Sequence, residues 1–312
     1  MQITNNILMI RPTCFKFNTQ TADNNFYQRK LDNLTLVQVQ HYALNEFNSF
    51  VDKLRSIGVN VIVVDDFKGS NTPDSIFPNN WVSFHKEGTV CIYPMFAKNR
   101  RDERREDIFD ILVDEYDFTI NEIKDFTGFE NEDKYLEGTG SMVLDRENKI
   151  CYASISERTD EIAVMQFCDN LKYRAVCFAA NQDIKGIRKP IYHTNVMMTV
   201  ADKFVVICLD AIDNLYDKKT VISTIFNTGK EIIEITEDQK LNFAGNMLQV
   251  MVEKPYMIMS ESAFQSLTNS QRGAIEKYCP IIHSNLDTIE ACGGGSARCM
   301  MAEVFLPKTR KV

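Results

Sequence analysis

Short apolar runs recur along the chain at Val59–Val64, Thr89–Tyr93, Met142–Leu144, Ile150–Ala153, Val196–Val200, Phe204–Leu209, Met247–Val252 and Tyr256–Met259. Many are continuous rather than alternating, the pattern of strands covered on both faces. Between them, apolar residues fall at helical spacing. Leu44, Phe47, Val51, Leu54 and Ile57 make one stripe, Ile108, Ile111 and Leu112 a second, and Ile162, Met165, Cys168 and Leu171 a third. Thr159 and Asp160 are candidate N-caps for the third helix, and Ser260-Glu261-Ser262 opens a fourth that is expected to run to about Tyr278.

Two pairs of runs stand back to back, Ser141–Asp145 with Lys149–Ala153 and Asn195–Ala201 with Lys203–Leu209. The residues between them, Arg146-Glu147-Asn148 and Asp202, fit tight hairpin turns. Strand pairs followed by a helix depart from the strict alternation of a doubly wound parallel sheet, so the α/β chain reads as a repeated β-β-α module.

Composition narrows the function classes. The 312 residues can bury a substantial core, and no stretch marks a linker, so one domain over residues 1–312 is expected. With 35 basic and 43 acidic residues the net charge is -8, which argues against nucleic acid and anionic membranes as partners and favours a small molecule. A homo-oligomer is compatible with this. Nine cysteines are too few for a disulfide scaffold and read as reduced thiols in the cytoplasm. The start lacks a signal-peptide pattern, and no apolar run approaches the ~20 residues of a membrane span.

Cofactor and metal signatures are absent. Gly293–Gly295 is not followed by Gly-Lys-Ser/Thr, Glu137-Gly138-Thr139-Gly140 lacks the third dinucleotide glycine, and there is no Cys-x-x-Cys or His-x-x-x-His. Neither a cofactor nor a metal is expected. Four segments instead carry polar residues where loops meet strands: Pro73 to Trp81, Leu136 to Gly140, Tyr192 to Asn195, and Cys292-Gly-Gly-Gly-Ser-Ala-Arg-Cys299-Met300. In the last, three glycines imply a backbone passing close to something, and they lead to a cysteine that needs a base from elsewhere. Each residue also has a plain structural reading. Cys299 could be a buried inert thiol, His193 a core histidine, Glu137 a surface charge and Asp74 a turn former.

Taken together, the order Asp-x-x-Phe-x-x-Asn, Glu-Gly-x-Gly, His-x-Asn and Gly-Gly-x-x-Arg-Cys-Met resembles the guanidine-modifying enzymes, which include arginine deiminases, dimethylarginine hydrolases and amidinotransferases. Within that group, the segments from Asp74 to His85 and from Tyr93 to Arg105 are most similar to citrulline-hydrolysing members. The resemblance implies five β-β-α-β modules in a pseudo-fivefold α/β propeller, with catalysis by Cys299, His193 and Glu137. It also implies that Arg158 holds the substrate's α-carboxylate, that Arg100 or Arg101 supplies a second clamp, and that Asp74 meets the substrate's reacting end.

Two departures bear on the substrate. Deiminases carry aspartates where this chain has Asn80 and Asn195, and those aspartates face a cationic guanidinium. Amides can donate to a ureido oxygen and accept from its NH groups, whereas buried carboxylates there would lack a counter-charge. The expected activity is therefore hydrolysis of a ureido amino acid, citrulline, to ornithine, carbon dioxide and ammonia. An arginine deiminase or related guanidine hydrolase is the alternative. A non-catalytic binding protein with the same fold, like one translation initiation factor, is the remote one.

Overall fold

Five three-stranded sheets of one topology make up most of the molecule, whose computed structural model describes residues 1–309. In each sheet the middle strand pairs antiparallel with one neighbour and parallel with the other. Four follow chain order: Val82–Phe84, Thr89–Ile92 and Glu122–Asp125; Met142–Asp145, Ile150–Ser154 and Arg174–Phe178; Met198–Val200, Phe204–Ile207 and Glu231–Glu234; Leu248–Met251, Pro255–Ser260 and Ile281–Ser284. The fifth joins the two ends of the chain, with Asn6–Arg11 between Ala302–Glu303 and Asn60–Asp65. A two-stranded hairpin, Asn181–Ile184 with Ile187–Pro190, stands apart.

The topology follows from connection lengths. Antiparallel neighbours need only a hairpin, as where Asp145 accepts from the Asn148 backbone N–H at 3.0 Å to close the 146–149 turn. Parallel neighbours need a crossover. Helices Leu36–Ser56, Asp107–Asp114, Glu161–Leu171 and Leu215–Asn227 supply four of these, and Glu261–Ser266 with Asn269–Glu276 the fifth. The repeated strand-strand-helix-strand unit expected from sequence is therefore present as a mixed α/β fold of small sheets.

Local chemistry sets the helix ends. Asp160, rather than Thr159, caps Glu161–Leu171, accepting from Ile162 N at 2.9 Å and Ala163 N at 3.2 Å. That helix buries Ala163, Val164, Phe167, Cys168 and Leu171, so Ile162 and Met165 of the expected stripe are turned outward. The helix expected from Ser260 to Tyr278 is broken at Leu267, where Thr268 and Gln271 form a capping box that starts a new helix. The run Val196–Val200 begins in a 3-10 turn, Thr194–Val196, and extends only from Met198.

Core layers lie between helices and sheets. Phe47, Phe50 and Leu54 of the first helix are fully buried in one cluster with Ile7, Met9 and Val61, and that cluster continues to Cys292 and Cys299. Burying each large apolar side chain stabilises the fold by ~1.5–3 kcal/mol. Among the described residues, no helix is long and apolar enough to cross a membrane.

Candidate active site

In every sheet the strand antiparallel to the middle one is entered through a tight turn, and these turns carry the polar residues. Asn80 precedes Val82–Phe84, Glu137 to Gly140 precede Met142–Asp145, and His193 and Asn195 precede Met198–Val200. Asn246 precedes Leu248–Met251 and Cys299 precedes Ala302–Glu303. Asn80, His193 and Cys299 line one cavity with Asp74, Arg100 and Arg158. Close approach of the turns is what the glycines permit. A Cβ on Gly140 would lie 2.4 Å from Asn80 Nδ2 and 2.7 Å from His193 Nδ1. Gly294, at φ +64°, ends the helix Asp287–Gly293, and a Cβ there would strike the Asn25 side chain at 2.5 Å. Its carbonyl accepts from Tyr192 Oη at 2.5 Å.

The sulfur of Cys299 faces amides. Asn246 Nδ2 donates to it at 3.2 Å and Asn195 Nδ2 at 3.5 Å. Cys292 lies in the same apolar cluster, and burial raises its thiol above the usual range. All nine cysteines are free.

His193 Nε2 lies 2.8 Å from Glu137 Oε2, both side chains fully enclosed. Burial pushes His193 down to about 4, and Glu137 pulls the other way. Burial alone would raise Glu137. Arg158, the His193 hydrogen bond and Arg100 outweigh it and hold the carboxyl well below its ordinary value. An ionised carboxylate only accepts, so Nε2 carries the proton and Nδ1 is the free basic nitrogen.

A dense ionic group lines the same cavity as the thiol. Arg100 donates to Glu103 through Nε at 3.0 Å and Nη2 at 2.9 Å, and lies 3.5 Å from Glu137 and 3.8 Å from Asp74. Its Nη1 donates to Asn80 Oδ1 at 3.0 Å, which fixes that amide with its NH2 on the other side. Arg158 donates to Asn24 Oδ1 at 2.9 Å and Thr21 O at 3.0 Å, approaches Glu137 at 3.5 Å, and stacks on Tyr192. Asp74 Oδ2 accepts from Asn18 at 2.7 Å, while its buried Oδ1 has no partner. Burial raises Asp74 against the pull of Arg100. The space left in the cavity is about 10 Å3, roughly that of one water.

Of the two arginines left open by sequence, Arg100 is in the site. Arg101 turns away, donating to Met95 O at 3.1 Å and pairing with Glu130 at 3.3 Å, and lines no part of the cavity. Sequence reasoning missed Asn246, Glu103, Tyr192 and the covering residues Asn18, Thr21 and Asn24. For Asn246 a signal existed, because Gly245-Asn246-Met247 stands directly before the fourth unit's first strand, where the other units carry site residues. Among the described residues, no group of His, Cys, Asp and Glu is placed to hold a metal ion.

Solved structures share this architecture. The substrate-bound N-terminal domain of ArgZ, an arginine dihydrolase from the ornithine-ammonia cycle in cyanobacteria, superposes with TM-score 0.72 at 19% identity over 96% of this chain and 97% of that one. The apo full-length ArgZ gives TM-score 0.72 at 18% identity, with 98% of this chain covering 42% of that longer one. A dimethylarginine dimethylaminohydrolase in adduct with S-methyl-L-thiocitrulline gives TM-score 0.62 at 14% identity over 96% and 99%. At these identities the likeness is one of fold. No curated protein matches the chain in sequence. The model of one family, described as N,N dimethylarginine dimethylhydrolase, eukaryotic, matches residues 11–306, nearly the whole length. The chain therefore belongs to that family, and with it to the guanidine-modifying amidinotransferase superfamily.

Proposed function

We propose that this protein is a cysteine-dependent hydrolase of a ureido amino acid, citrulline, releasing ornithine, carbon dioxide and ammonia. Cys299 attacks the ureido carbon as its proton passes to His193 Nδ1, and that proton then leaves with the ornithine amine. A thiocarbamate remains on sulfur. Water, deprotonated by His193, releases carbamate, which decomposes to carbon dioxide and ammonia. Glu137 orients His193 and stabilises its protonated form. Asp74 Oδ1 accepts from the ureido NH groups, Arg158 takes the α-carboxylate, and Arg100 holds Asn80 and Asp74 in place. The five units close into a pseudo-fivefold α/β propeller with the site on its axis, in one domain over residues 1–312, of which 310–312 lie outside the described residues.

The observation that carries the choice of substrate is the fixed amide of Asn80. Arg100 donates to its oxygen and its NH2 donates one hydrogen to Asn79 Oδ1 at 3.2 Å, which leaves the second hydrogen as a donor that suits the ureido oxygen and not a guanidinium, which has only donors. The arginine dihydrolase named among the similar structures favours a second reading, in which arginine is also accepted and carried to ornithine. Purified protein given citrulline, arginine or dimethylarginine, with ornithine, citrulline and ammonia measured, tests both. Ornithine and one ammonia from citrulline, with arginine a poor substrate, is the expected result. Ornithine and two ammonia from arginine would establish the second reading. Conversion of arginine or dimethylarginine to citrulline, with citrulline inert, overturns the ureido assignment.

A further inference from the structure

We propose that Asn246 is a catalytic residue of this reaction, donating a hydrogen bond to the Cys299 sulfur and locking that sulfur to the turn that carries His193 and Asn195. The inference rests on Cys299 being the nucleophile of the proposed hydrolysis.

The geometry leaves the Asn246 amide one orientation. Its Oδ1 accepts the Arg298 backbone N–H at 3.0 Å, and its Nδ2 donates to the Asn195 carbonyl at 3.0 Å. A backbone N–H can only donate and a carbonyl can only accept, so two independent partners assign the same end as NH2. One hydrogen of that NH2 goes to Asn195 O, and the other is available for Cys299 Sγ at 3.2 Å. The Asn246 side chain thus bridges three consecutive units: its own, the third through Asn195, and the fifth through Arg298 and Cys299. Gly245 makes the bridge short, since a Cβ there would meet Val196 O at 2.5 Å. Asn246 is wholly enclosed, so its donor is not competed for by bulk water.

Sulfur carries negative charge twice in the proposed cycle. The first occasion is the attack, when the thiol proton goes to His193. The second is breakdown of the thiocarbamate, when the water oxygen bonds to carbon, the C–S bond breaks, and its electron pair returns to sulfur. An amide N–H aimed at the sulfur favours the charged form on both occasions. Asn195 supplies a weaker second donor at 3.5 Å.

A buried amide could instead be only a brace, so the test must read the sulfur. Cys299 alkylation by iodoacetamide, followed on its own peptide by mass spectrometry across pH, does this in the unmodified protein, Asn246→Asp and Asn246→Ala. Asn246→Asp keeps the acceptor for the Arg298 N–H and puts an oxygen opposite the sulfur, so it decides the point even where Asn246→Ala fails to fold. The alkylation midpoint should rise by ~1 pH unit or more in Asn246→Ala and further in Asn246→Asp. kcat/KM on the accepted substrate should fall ~10- to 100-fold near neutral pH and partly recover at higher pH. An alkylation profile for Asn246→Asp that superimposes on that of the unmodified protein overturns the proposal, whatever happens to activity or melting temperature. Failure of the nucleophile assignment is read separately, as activity surviving Cys299→Ser.

Discussion

The two sides of the cavity are built from opposite materials. Around the sulfur there are amides, Asn195 and Asn246, and apolar packing from the cluster that contains Phe77 and Met300. Across from it stand Asp74, Glu103, Glu137, Arg100 and Arg158, five ionisable side chains paired within 4 Å of one another. Buried ions are tolerated only when paired and hydrogen-bonded, and here two guanidiniums hold three carboxyl groups, of which burial pushes Glu103 up to about 8, so the ionic side is a paired lattice before substrate arrives. The neutral side can take up charge that exists only during the reaction. Under the proposed function the difference divides the tasks: the ionic side would meet the fixed charges of an amino acid and hold the histidine, and the neutral side would face bond-making at carbon.

The largest effect should come from the neutral side. Cys299→Ser should lower turnover at least ~10^3-fold with the melting temperature nearly unchanged, because a hydroxyl is a far weaker nucleophile near neutral pH. Cys292→Ser should stay within a few-fold of the unmodified protein, since Cys292 does not line the cavity. Reversal of the two results would move the chemistry to Cys292. Next comes the joint between the sides. Glu137→Gln should reduce kcat by a smaller factor, ~10^2- to 10^3-fold, by releasing the histidine from its orientation and removing charge stabilisation of its protonated form. An unchanged kcat would detach Glu137 from His193 in function.

On the ionic side the loss should appear in binding. Arg158→Ala should raise KM more than it lowers kcat, with kcat/KM down ~10- to 100-fold, the worth of a charge-assisted contact. A pure kcat effect would mean that Arg158 acts through its 3.5 Å contact with Glu137 rather than on the substrate. The asparagines sharpen the comparison further. Asn80→Asp places a carboxylate within direct reach of Arg100, whereas Asn195→Asp places one against the sulfur, where negative charge develops in the proposed reaction. Citrulline turnover should therefore suffer more from Asn195→Asp, and only the double change should improve arginine binding. Equal losses from the two single changes would show that the neutral character near sulfur is not what matters.

The two sides were also unequally legible in the sequence. Strand-entry turns announce themselves through Gly and Asn at breaks in apolar runs, which marked the segments holding Asn80, Glu137, His193, Asn195 and Cys299, while their roles came from the family resemblance. Asn246 sits in the same kind of place, but its neighbours Ala244, Gly245 and Met247 read as ordinary packing. Its place directly before a strand was the one signal, and the unit-by-unit register of the aligned sheets turns that signal into an assignment to the site. The covering residues Asn18, Thr21 and Asn24 belong to no strand or helix and have no periodicity to betray them. Arg100 and Arg101 are neighbours in a 3-10 turn, Lys98–Glu103, so a one-residue rotation decides which faces Glu103. The polar strand Glu122–Asp125 and the hairpin strand Ile187–Pro190 are largely exposed, and surface strands lack the apolar signal that reveals buried ones.

The smallest effect concerns stability, and it tests whether His193 rests neutral where the two sides meet. Its folded value is about 4 against 6.5 for a free side chain, chiefly through burial. Between those two pH values the unfolded chain binds a proton at this position and the folded one does not, so stability falls as pH drops from 6.5 towards 4 and is unaffected by this group above 6.5. The direction is set by burial, which outweighs the opposing pull of Glu137. Other groups titrate in the same range, so the informative quantity is the difference between two proteins. His193→Gln should lose less stability than the unmodified protein when denaturant midpoints are compared at pH 6.5 and pH 4.5. Parallel losses would mean that His193 is already protonated in the folded state, bound as a cation to Glu137. In that case it could not act as the base that takes the thiol proton, and Cys299 would instead be activated as a thiolate stabilised by the imidazolium and its amide neighbours.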